Sequence, residues 1–412
     1  MQNKATMKVL IISGYISIDN DRDFSRIKSG FGYMVMAIAK AVAKEGINVD
    51  LLTSMEFHAK REIERVTCIP WSMKAFVSSI KYKDIIAAIK YYLRYPSFSK
   101  SAVWSVFHIL TAGYLRKIVS DYDIVHMHGI SAQTEAVVSV CREKKVPVLV
   151  TAHGLNSFSD TVKMLPIYKK FEKDFFREAI NSSIPLSFIG SGDMNVVLNY
   201  LECPKPETFY MISNGTALKE IQPTRDIRKQ YSINKDDFLF LFVGNISLNK
   251  NQRQVVEAFE LMSPSEKEKA KVIFCGGEMD GGLLVSLIKE KHLENALIYA
   301  GFVPNTDIHN YYAAADATIL PSLSEGFGLS IIEGYVFGKP SLAFKDMSAI
   351  EELYTGDTMI CPVDRRTTSL AEGMSKMMRK EWDSDRIKAF SRQFSVESMA
   401  ARYIALYQML TS

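Results

Sequence analysis

Residues 317–344 read Ala317-Thr-Ile-Leu-Pro-Ser-Leu-Ser-Glu325-Gly-Phe-Gly-Leu-Ser-Ile-Ile-Glu333-Gly-Tyr-Val-Phe-Gly-Lys-Pro-Ser341-Leu-Ala-Phe344. The apolar run Ala317 to Leu320 predicts a buried strand that Pro321 stops, and Ser330 to Phe337 predicts a helix ended by Gly338. Another apolar run, Ser341 to Phe344, predicts the next strand. Strand, loop, helix and strand in this order are typical of a βαβ unit, so we expect an α/β fold with parallel sheets.

The loop of this unit places two carboxylates around a glycine-rich turn. Ligands of parallel sheets bind beyond the carboxyl ends of the strands, which is where Glu325 to Gly328 must lie. Gly326 and Gly328 lack Cβ atoms and allow close approach of a ligand, and the first N–H groups of the helix favour a phosphate. Glu325 is suited to accept hydrogen bonds from hydroxyl groups, and Glu333 to reach a ribose diol. A simpler alternative stays open, because Ser330-x-x-Glu333 also matches a capping box and Glu325 could be a solvated loop carboxylate.

Composition limits the classes of protein that fit. The chain has 412 residues, 47% of them hydrophobic, which is enough for two domains with separate cores. Fifty basic and 46 acidic residues give a net charge of +4, too small to indicate a nucleic-acid-binding protein. The five cysteines form no C-x-x-C pair, so the sequence predicts free thiols. We expect a cytoplasmic protein, because the longest uncharged run, Ser101 to Leu115, is short for a membrane span.

Apolar runs and helical segments alternate along both halves of the chain, as expected for two doubly wound α/β units in tandem. The predicted strands of the first half are Val9–Ser13, Asn48–Thr53, Ile124–His126, Val148–Ala152, Leu186–Ile189 and Tyr210–Ser213, with helices at Tyr33–Lys44 and Ala132–Lys144. Those of the second half are Phe238–Val243, Val272–Cys275, Leu297–Ala300, Ala317–Leu320, Ser341–Phe344 and Thr358–Cys361. We predict domains at 1–210 and 211–394, and a C-terminal helix, 395–412, that joins the first domain and packs across both.

With these residues placed, the chain resembles the retaining glycosyltransferases of family 4, whose GT-B fold consists of two Rossmann-like domains. Glu325 and Glu333 match the family's Glu-x7-Glu motif. Gly30-Phe-Gly32 resembles its N-terminal glycine loop, and the His-Gly strand ends Asp123–Gly129 and Pro147–Gly154 resemble the family's own. Further matches are the junction turn Ser213-Asn-Gly215, the phosphate-binding segment Val243–Gln252 and the nucleobase-binding turn Gly301-Phe-Val303.

The resemblance implies a role for each matching residue. Glu325, Lys250 and His153 would be catalytic: Glu325 holds hydroxyls of the donor sugar, Lys250 neutralises the diphosphate, and His153 orients the sugar. The residues implied in donor binding are Glu333, at the ribose, together with Gly30, Gly32, Asn245, Gly326, Phe327, Gly328, Leu329, Ser330 and Val303. Neither a metal nor a cofactor is implied, and the nucleotide-sugar is a substrate.

The sequence departs from the family at Asn245, where an arginine is usual, and so loses a planar two-pronged phosphate donor. Arg253 could supply the missing charge or be a solvated helix-surface residue. His126 and His128, on one side of a strand, could be metal ligands, although structural histidines are the preferred interpretation.

The resemblance implies a metal-independent hexosyltransferase that acts on a glycan or lipid-linked acceptor in bacterial surface polysaccharide assembly. Alternatives are another GT-B enzyme, such as a sugar-nucleotide epimerase or a phosphorylase, or a non-catalytic binding module. The acceptor side is expected in the first domain, where residues 71–107 are basic and aromatic. This segment favours either an anionic membrane surface, on the inner face of the cell membrane, or an ordinary helical pair with buried aromatic rings.

Overall fold

The computed structural model describes residues 6–18, 21, 24, 30–54, 60–70, 73–97, 99–158 and 164–412. The chain forms two compact units. The first unit contains residues 1–189, 193–214 and 396–412, and the second contains 190–192 and 215–395. The main passage from the first unit to the second thus follows Asn214.

The first unit is built on a sheet that has eight strands within the described residues, in the order β3-β4-β2-β1-β5-β6-β7-β8. The strands are β1 (Lys8–Ser13), β2 (Asn48–Thr53), β3 (Arg61–Ile63), β4 (Val66–Ile69), β5 (Ile124–His128), β6 (Val148–Ala152), β7 (Leu186–Phe188) and β8 (Phe209–Met211). The helices are α1 (Gly30–Lys44), α2 (Met73–Val77), α3 (Tyr82–Arg94), α4 (Lys100–Leu110), α5 (Ala112–Ile118), α6 (Ala132–Lys144), α7 (Pro166–Asn181) and α8 (Ser191–Leu201).

Neighbouring strands of this sheet are parallel except β3 and β4, which form an antiparallel hairpin at one edge. The sequence did not predict this hairpin. Its turn uses Glu64 and Arg65 with φ of 47° and 70°, where glycine is the usual signal. The central strands are apolar on both faces, and β5 is buried throughout its length, as a sheet covered by helices requires.

The second unit has a six-stranded parallel sheet in the order β11-β10-β9-β12-β13-β14. The strands are β9 (Phe238–Val243), β10 (Ala270–Cys275), β11 (Leu297–Gly301), β12 (Ala317–Leu320), β13 (Ser341–Ala343) and β14 (Met359–Ile360). The helices are α9 (Ile227–Gln230), α10 (Gln252–Leu261), α11 (Pro264–Lys269), α12 (Leu283–Glu290), α13 (Ile308–Ala314), α14 (Leu329–Val336), α15 (Ile350–Leu353), α16 (Thr367–Arg379) and α17 (Ser384–Ser391). This strand order is that of the Rossmann fold.

The last helix, α18 (Val396–Thr411), belongs to the first unit, where it packs against α1 and β5. The predicted α/β class, the two doubly wound sheets and the C-terminal helix are confirmed. That α18 packs across both units stays a prediction. Two helix starts were misplaced: α1 begins at Gly30 rather than Tyr33, and α14 at Leu329 rather than Ser330.

Candidate functional site

The topology of the second sheet explains why two distant predicted residues meet. β9 lies between β10 and β12, so the strand order reverses beside β9 and leaves a crevice at the carboxyl ends of β9 and β12. Lys250 lies in the short 3-10 turn Leu248–Lys250 that follows β9, and Glu325 lies in the loop that follows β12. The two side chains therefore converge at the switch point of the sheet.

Lys250 and Glu325 form an ion pair through Nζ and Oε2. Both side chains are partly buried, with exposed fractions of 24% and 15%. Gly244, at φ +156°, has a backbone conformation that favours glycine, and it lies next to the lysine side chain. A charge pair that still contacts solvent can exchange partners at modest cost, so an anionic ligand can replace Glu325 on the lysine.

The backbone around this pair is held by Asn249, whose role the sequence did not reveal. The Asn249 side chain donates from Nδ2 to the carbonyl of Ser324 at 2.8 Å and accepts the Ser324 N–H at 3.1 Å. Its own carbonyl accepts the Leu323 N–H at 2.7 Å. Ser348 Oγ donates to the carbonyl of Glu325 at 2.5 Å. These bonds fix the Glu325 loop on the Lys250 turn.

Glu333 lies in α14 and is bonded to a residue outside its own helix. The hydroxyl of Tyr312, in α13, donates to Glu333 Oε2 at 2.6 Å. Burial raises the pKa of Glu333 to about 7, and the Tyr312 hydrogen bond opposes that rise. The capping-box alternative is wrong: the N-cap of α14 is Gly328, and Ser330 lies inside the helix. Glu333 therefore does not cap its own helix. No local sequence pattern predicted its hydrogen bond with Tyr312.

The glycine-rich turn precedes α14 as expected. Gly328 is in the left-handed region at φ +85°, which favours glycine. Phe327 is buried and contacts Phe394 edge-on, at 5.9 Å between ring centroids. Gly326, which accepts a 3.2 Å bond from Ser348 Oγ, lies beside Glu325. Leu329 and Ser330 begin the helix, where backbone N–H groups have no intrahelical acceptor.

Asn245, Arg253 and Val303 complete the predicted donor side. Asn245 follows β9 and is partly buried, and its carbonyl accepts from Gln252 Nε2 at 2.9 Å. Arg253 is mostly exposed and pairs with Glu257, one turn along α10, at 2.7 Å. It is therefore a solvated helix-surface residue that does not replace the missing arginine. Val303 follows β11 and packs against the apolar core of the second unit.

Two histidines of the first unit lie in β5, His126 in the middle of the strand and His128 at its end. His126 is fully buried, and its ring nitrogens contact Tyr407 Oη at 2.6 Å and Thr151 Oγ1 at 2.7 Å. His128 Nδ1 contacts His153 Nε2 at 2.8 Å. Burial holds the pKa of both His126 and His128 well below the usual range. His126, with both nitrogens engaged by hydroxyl groups, is structural, and in the described part of the chain no cluster of three His, Cys, Asp or Glu side chains is suited to a metal.

His153 follows β6, and its Nε2 is the atom that contacts His128 Nδ1. Burial lowers the pKa of His153 to about 3, so the ring is neutral at pH 7. His128 Nε2 is buried without a hydrogen-bond partner among the described residues. A bare acceptor there costs less than a bare N–H, so His128 carries its proton on Nδ1 and donates to His153. His153 then carries its own proton on Nδ1, as a neutral hydrogen-bond donor.

The predicted glycine loop proved to be helical. Gly30 and Gly32 lie in the first turn of α1 rather than before it, and residues 25–29 lie outside the described residues. A Cβ on Gly32 would approach Ser17 Oγ to 2.3 Å, so this glycine lets the start of the helix pack closely. Gly30 is exposed, and Phe31 contacts His153 edge-on at a centroid distance of 5.0 Å.

Both halves of the chain match known protein families. Residues 223–394 match the family described as "Glycosyl transferases group 1", and residues 28–183 match "Glycosyltransferase Family 4". The putative glycosyltransferase EpsD of Bacillus subtilis is 26% identical over 320 residues, covering 72% of this chain and 81% of EpsD. The O-antigen chain mannosyltransferase B of Escherichia coli is 27% identical over 173 residues, covering 41% and 45%.

Solved structures show the same fold. Sucrose-phosphate synthase from Thermosynechococcus elongatus superposes with a TM-score of 0.73 at 17% identity, covering 98% of this chain and 99% of the synthase. Anabaena HepE, in complex with UDP and glucose, gives a TM-score of 0.65 at 16% identity, covering 98% and 100%. The comparisons lend no support to the epimerase, phosphorylase or non-catalytic alternatives. With both halves matched, the chain belongs to the family 4 glycosyltransferases of GT-B fold and is a glycosyltransferase.

Proposed function

We propose that this enzyme transfers a hexose, with retention of configuration, from a nucleotide-sugar to a glycan or lipid-linked acceptor in bacterial surface polysaccharide assembly. The observation that carries the proposal is the Lys250–Glu325 ion pair at the switch point of the second sheet. A lysine that can release its carboxylate partner can bind the diphosphate of the donor. The released carboxylate can then accept hydrogen bonds from the hydroxyl groups of the sugar. HepE, of the same fold, has been seen with UDP and glucose, which supports a nucleotide-sugar donor.

The second unit is the donor-binding unit in this proposal. Breaking the bond between sugar and phosphate leaves negative charge on the diphosphate, and stabilising that charge lowers the barrier. Lys250 and the N–H groups of Leu329 and Ser330 supply this stabilisation. Glu333 accepts hydrogen bonds from the ribose, and the turn at Val303 contacts the nucleobase. Asn245 offers a neutral amide where an arginine is usual, so Lys250 is the principal positive charge.

The histidine of the first unit has a supporting task. Because His153 is neutral at pH 7, it orients the substrate by hydrogen bonding rather than by donating a proton. Retention follows when the acceptor attacks the face that the diphosphate leaves and the departing phosphate takes the acceptor proton. Glu325 is assigned to binding sugar hydroxyls and not to the role of a glycosidase nucleophile, because a glycosidase pair of carboxylates would have to flank one glycosidic bond.

A panel of nucleotide-sugars tests the proposal, with and without glycolipid acceptors. We expect acceptor-dependent release of nucleoside diphosphate, a product that retains the donor's anomeric configuration by NMR, and at least about hundredfold slower release for Glu325→Gln. Inverted product would refute retention. Full activity of Glu325→Gln, or no release from any donor, would refute the assignment of the site.

The same proposal includes a membrane-binding surface formed by α3 and α4. Tyr82, Ile85, Ile86, Ile89 and Leu93 recur every three or four residues along α3 and are exposed. On α4, Val103 and Trp104 are also exposed. The exposed stripe supports the membrane-surface alternative, whereas Phe76, Tyr91 and Tyr95 are buried, as an ordinary helical pair predicts. Trp71 and Phe98 lie outside the described residues.

This apolar stripe is flanked by exposed Lys81, Lys90 and Lys100, a charge pattern that favours an anionic bilayer. Within the described residues, no helix has the length and apolar character to cross a bilayer. Flotation with vesicles containing anionic phospholipid should show salt-sensitive binding that Ile86→Ser/Leu93→Ser abolishes. Leu261→Ser/Met279→Ser, at exposed apolar positions of the second unit, is the control. Equal binding by both double variants would remove the membrane contact from the proposal.

A further inference from the structure

A cavity of about 450 Å³ lies along α7, outside the residues assigned so far. Basic side chains line it: Lys169, Lys170, Lys173 and Arg177, with Tyr200 of α8. Lys169, Lys173 and Arg177 are four residues apart along the helix, so they share one face of it. We call this the α7 cavity. Its lining has four cations and one acid, Asp174.

The acidic groups of this part of α7 are already engaged. Asp174 accepts from Lys170 at 2.9 Å, from Arg177 at 3.0 Å and from the Tyr95 hydroxyl at 3.0 Å. Glu172 is buried and accepts the Ser157 N–H at 2.5 Å. The ion pairs of the described residues include no carboxylate partner for Lys173. The cavity therefore keeps a surplus of positive charge.

Aromatic rings hold these cations in place without neutralising them. Lys173 Nζ lies 4.8 Å from the ring centre of Phe158 and 5.1 Å from that of Tyr200. The Arg177 guanidinium lies 4.8 Å from the Tyr200 ring centre and donates to the Tyr200 hydroxyl. Cation–π contact orients a charged group and leaves its charge available to an anion. Side chains ordered in advance lose less entropy when a ligand binds.

The α7 cavity is connected to two regions already described in the same unit. Phe158 ends the Asn156–Phe158 turn, and only a few residues of chain, spanning at most about 18 Å when extended, separate it from His153. The bond between Glu172 and Ser157 fixes this turn to α7. The second region is α3, the helix with the exposed apolar stripe. The hydroxyl of Tyr95, at the end of α3, donates a hydrogen bond to Asp174.

We propose that the α7 cavity binds the phosphate or diphosphate group of the acceptor. A phosphate has several acceptor oxygens, and ammonium and guanidinium groups are its usual partners in proteins. The apolar stripe of α3 would take an attached lipid chain, and the glycan would extend toward His153. This inference rests on the proposed transferase function, and it adds that the acceptor carries phosphate and that α7 recognises it.

The first test uses inorganic pyrophosphate and geranyl diphosphate as soluble probes, measured by calorimetry on the full chain. Lys250→Gln is the background, so that the donor site has lost its lysine. We expect Lys173→Ser/Arg177→Ser to raise the Kd of both probes about tenfold for each charge removed. Lys117→Ser/Lys144→Ser removes the same charge from α5 and α6, just before the amino-terminal ends of β5 and β6, and should change the Kd less than about twofold.

Several outcomes would overturn the α7 site. Equal losses in the two double variants would mean that bulk charge alone binds the probes. Binding of anionic vesicles without binding of either soluble probe would leave a membrane surface and no phosphate site. Should the double serine variant fail to fold, Lys173→Arg/Arg177→Lys keeps both charges and is expected to hold the Kd within about threefold, while Lys173→Gln alone raises it about tenfold.

A kinetic measurement separates this inference from the proposed function. With Lys250 restored, the variant Lys173→Ser/Arg177→Ser should raise the KM for a phosphate-bearing acceptor and leave the KM for the nucleotide-sugar unchanged. If the probes bind at α7 but the enzyme turns over no nucleotide-sugar, the transferase proposal fails and the anion site remains. If transfer proceeds with equal acceptor KM in wild type and variant, the α7 site is overturned and the transferase remains.

Discussion

The two units have related sheets, but the side chains at their strand ends differ in charge. In the second unit, the crevice beside β9 contains an ion pair, Lys250 with Glu325, that is still open to solvent. In the first unit, the ends of β5 and β6 carry imidazoles that burial keeps neutral, among them His128 and His153. The same topology thus provides charge in one unit and uncharged hydrogen bonding in the other. This difference fits a donor that carries two phosphates and a sugar that carries hydroxyls.

Removing the lysine should have the largest effect. Lys250→Met leaves the diphosphate without its main positive charge, and we expect kcat/KM to fall about thousandfold in steady-state assays. The matched control is Arg253→Met, which removes a cation three residues away that is paired with Glu257 at the surface. It should change kcat/KM less than about twofold. Similar losses in both variants would mean that Lys250 has no special role.

The neutral histidine should have a smaller, pH-independent effect. His153→Ala is expected to lower kcat about 10- to 100-fold, because a positioned hydrogen-bonding group is lost. The pKa of His153 lies at about 3, below its usual value, so the ring gains charge only in strong acid. The ratio of wild-type to variant kcat should therefore stay constant from pH 5.5 to 8.5, a range chosen to include the ordinary histidine pKa of about 6.5. A ratio that changes through pH 6–7 would show that the imidazole titrates.

Glu333 is a titratable group of the second unit. Its pKa is raised to about 7, so the side chain is fully ionised only above neutral pH. If the carboxylate binds ribose, the KM for the nucleotide-sugar should fall as the pH rises from 6 to 8. Tyr312→Phe removes a hydrogen bond that favours the ionised form, so the midpoint should move to higher pH and the KM at pH 7 should rise about fivefold.

The neighbouring tyrosine provides the control for that experiment. Tyr311, also in α13, has its hydroxyl 3.3 Å from that of Tyr231 rather than at Glu333. Tyr311→Phe should leave the pH dependence of KM unchanged. A KM that is flat across pH 6–8 in the wild-type enzyme would contradict a ribose-binding role for the Glu333 carboxylate.

The smallest effect on activity is expected when the hydroxyl group bonded to His126, the buried histidine of β5, is removed. Tyr407→Phe removes the hydroxyl bonded to His126 at 2.6 Å and should lower the free energy of unfolding by about 1–3 kcal/mol, measured with urea. Tyr403→Phe, whose hydroxyl lies 3.5 Å from Thr151 Oγ1, should cost less. The kcat should stay within about twofold in both variants. A large fall in kcat without loss of stability would place His126 in the catalytic machinery.

Sequence reasoning succeeded where the signal is local. Alternating apolar runs and helical patterns predicted most strands to within two residues. The periodicity of strands and helices depends on residues that are close together in the sequence. The start of α1 was missed, since Gly30 and Gly32 are typical of turns yet lie in the helix. Residues 71–107 were left between a membrane surface and an ordinary helical pair, because an apolar helical face gives the same sequence pattern whether it faces a core or solvent.

By itself, the sequence determined the α/β class, the tandem arrangement of two doubly wound units, and the presence of Glu325, Glu333 and Lys250 in one motif pattern. Only the tertiary structure decided which of these groups meet. Lys250 and Glu325 are 75 residues apart in the chain, Tyr312 and Glu333 are 21 apart, and His126 and Tyr407 are 281 apart. Strand order brings them together, and burial then sets the ionisation of each group. Both depend on packing between distant segments, which no local pattern of residues encodes.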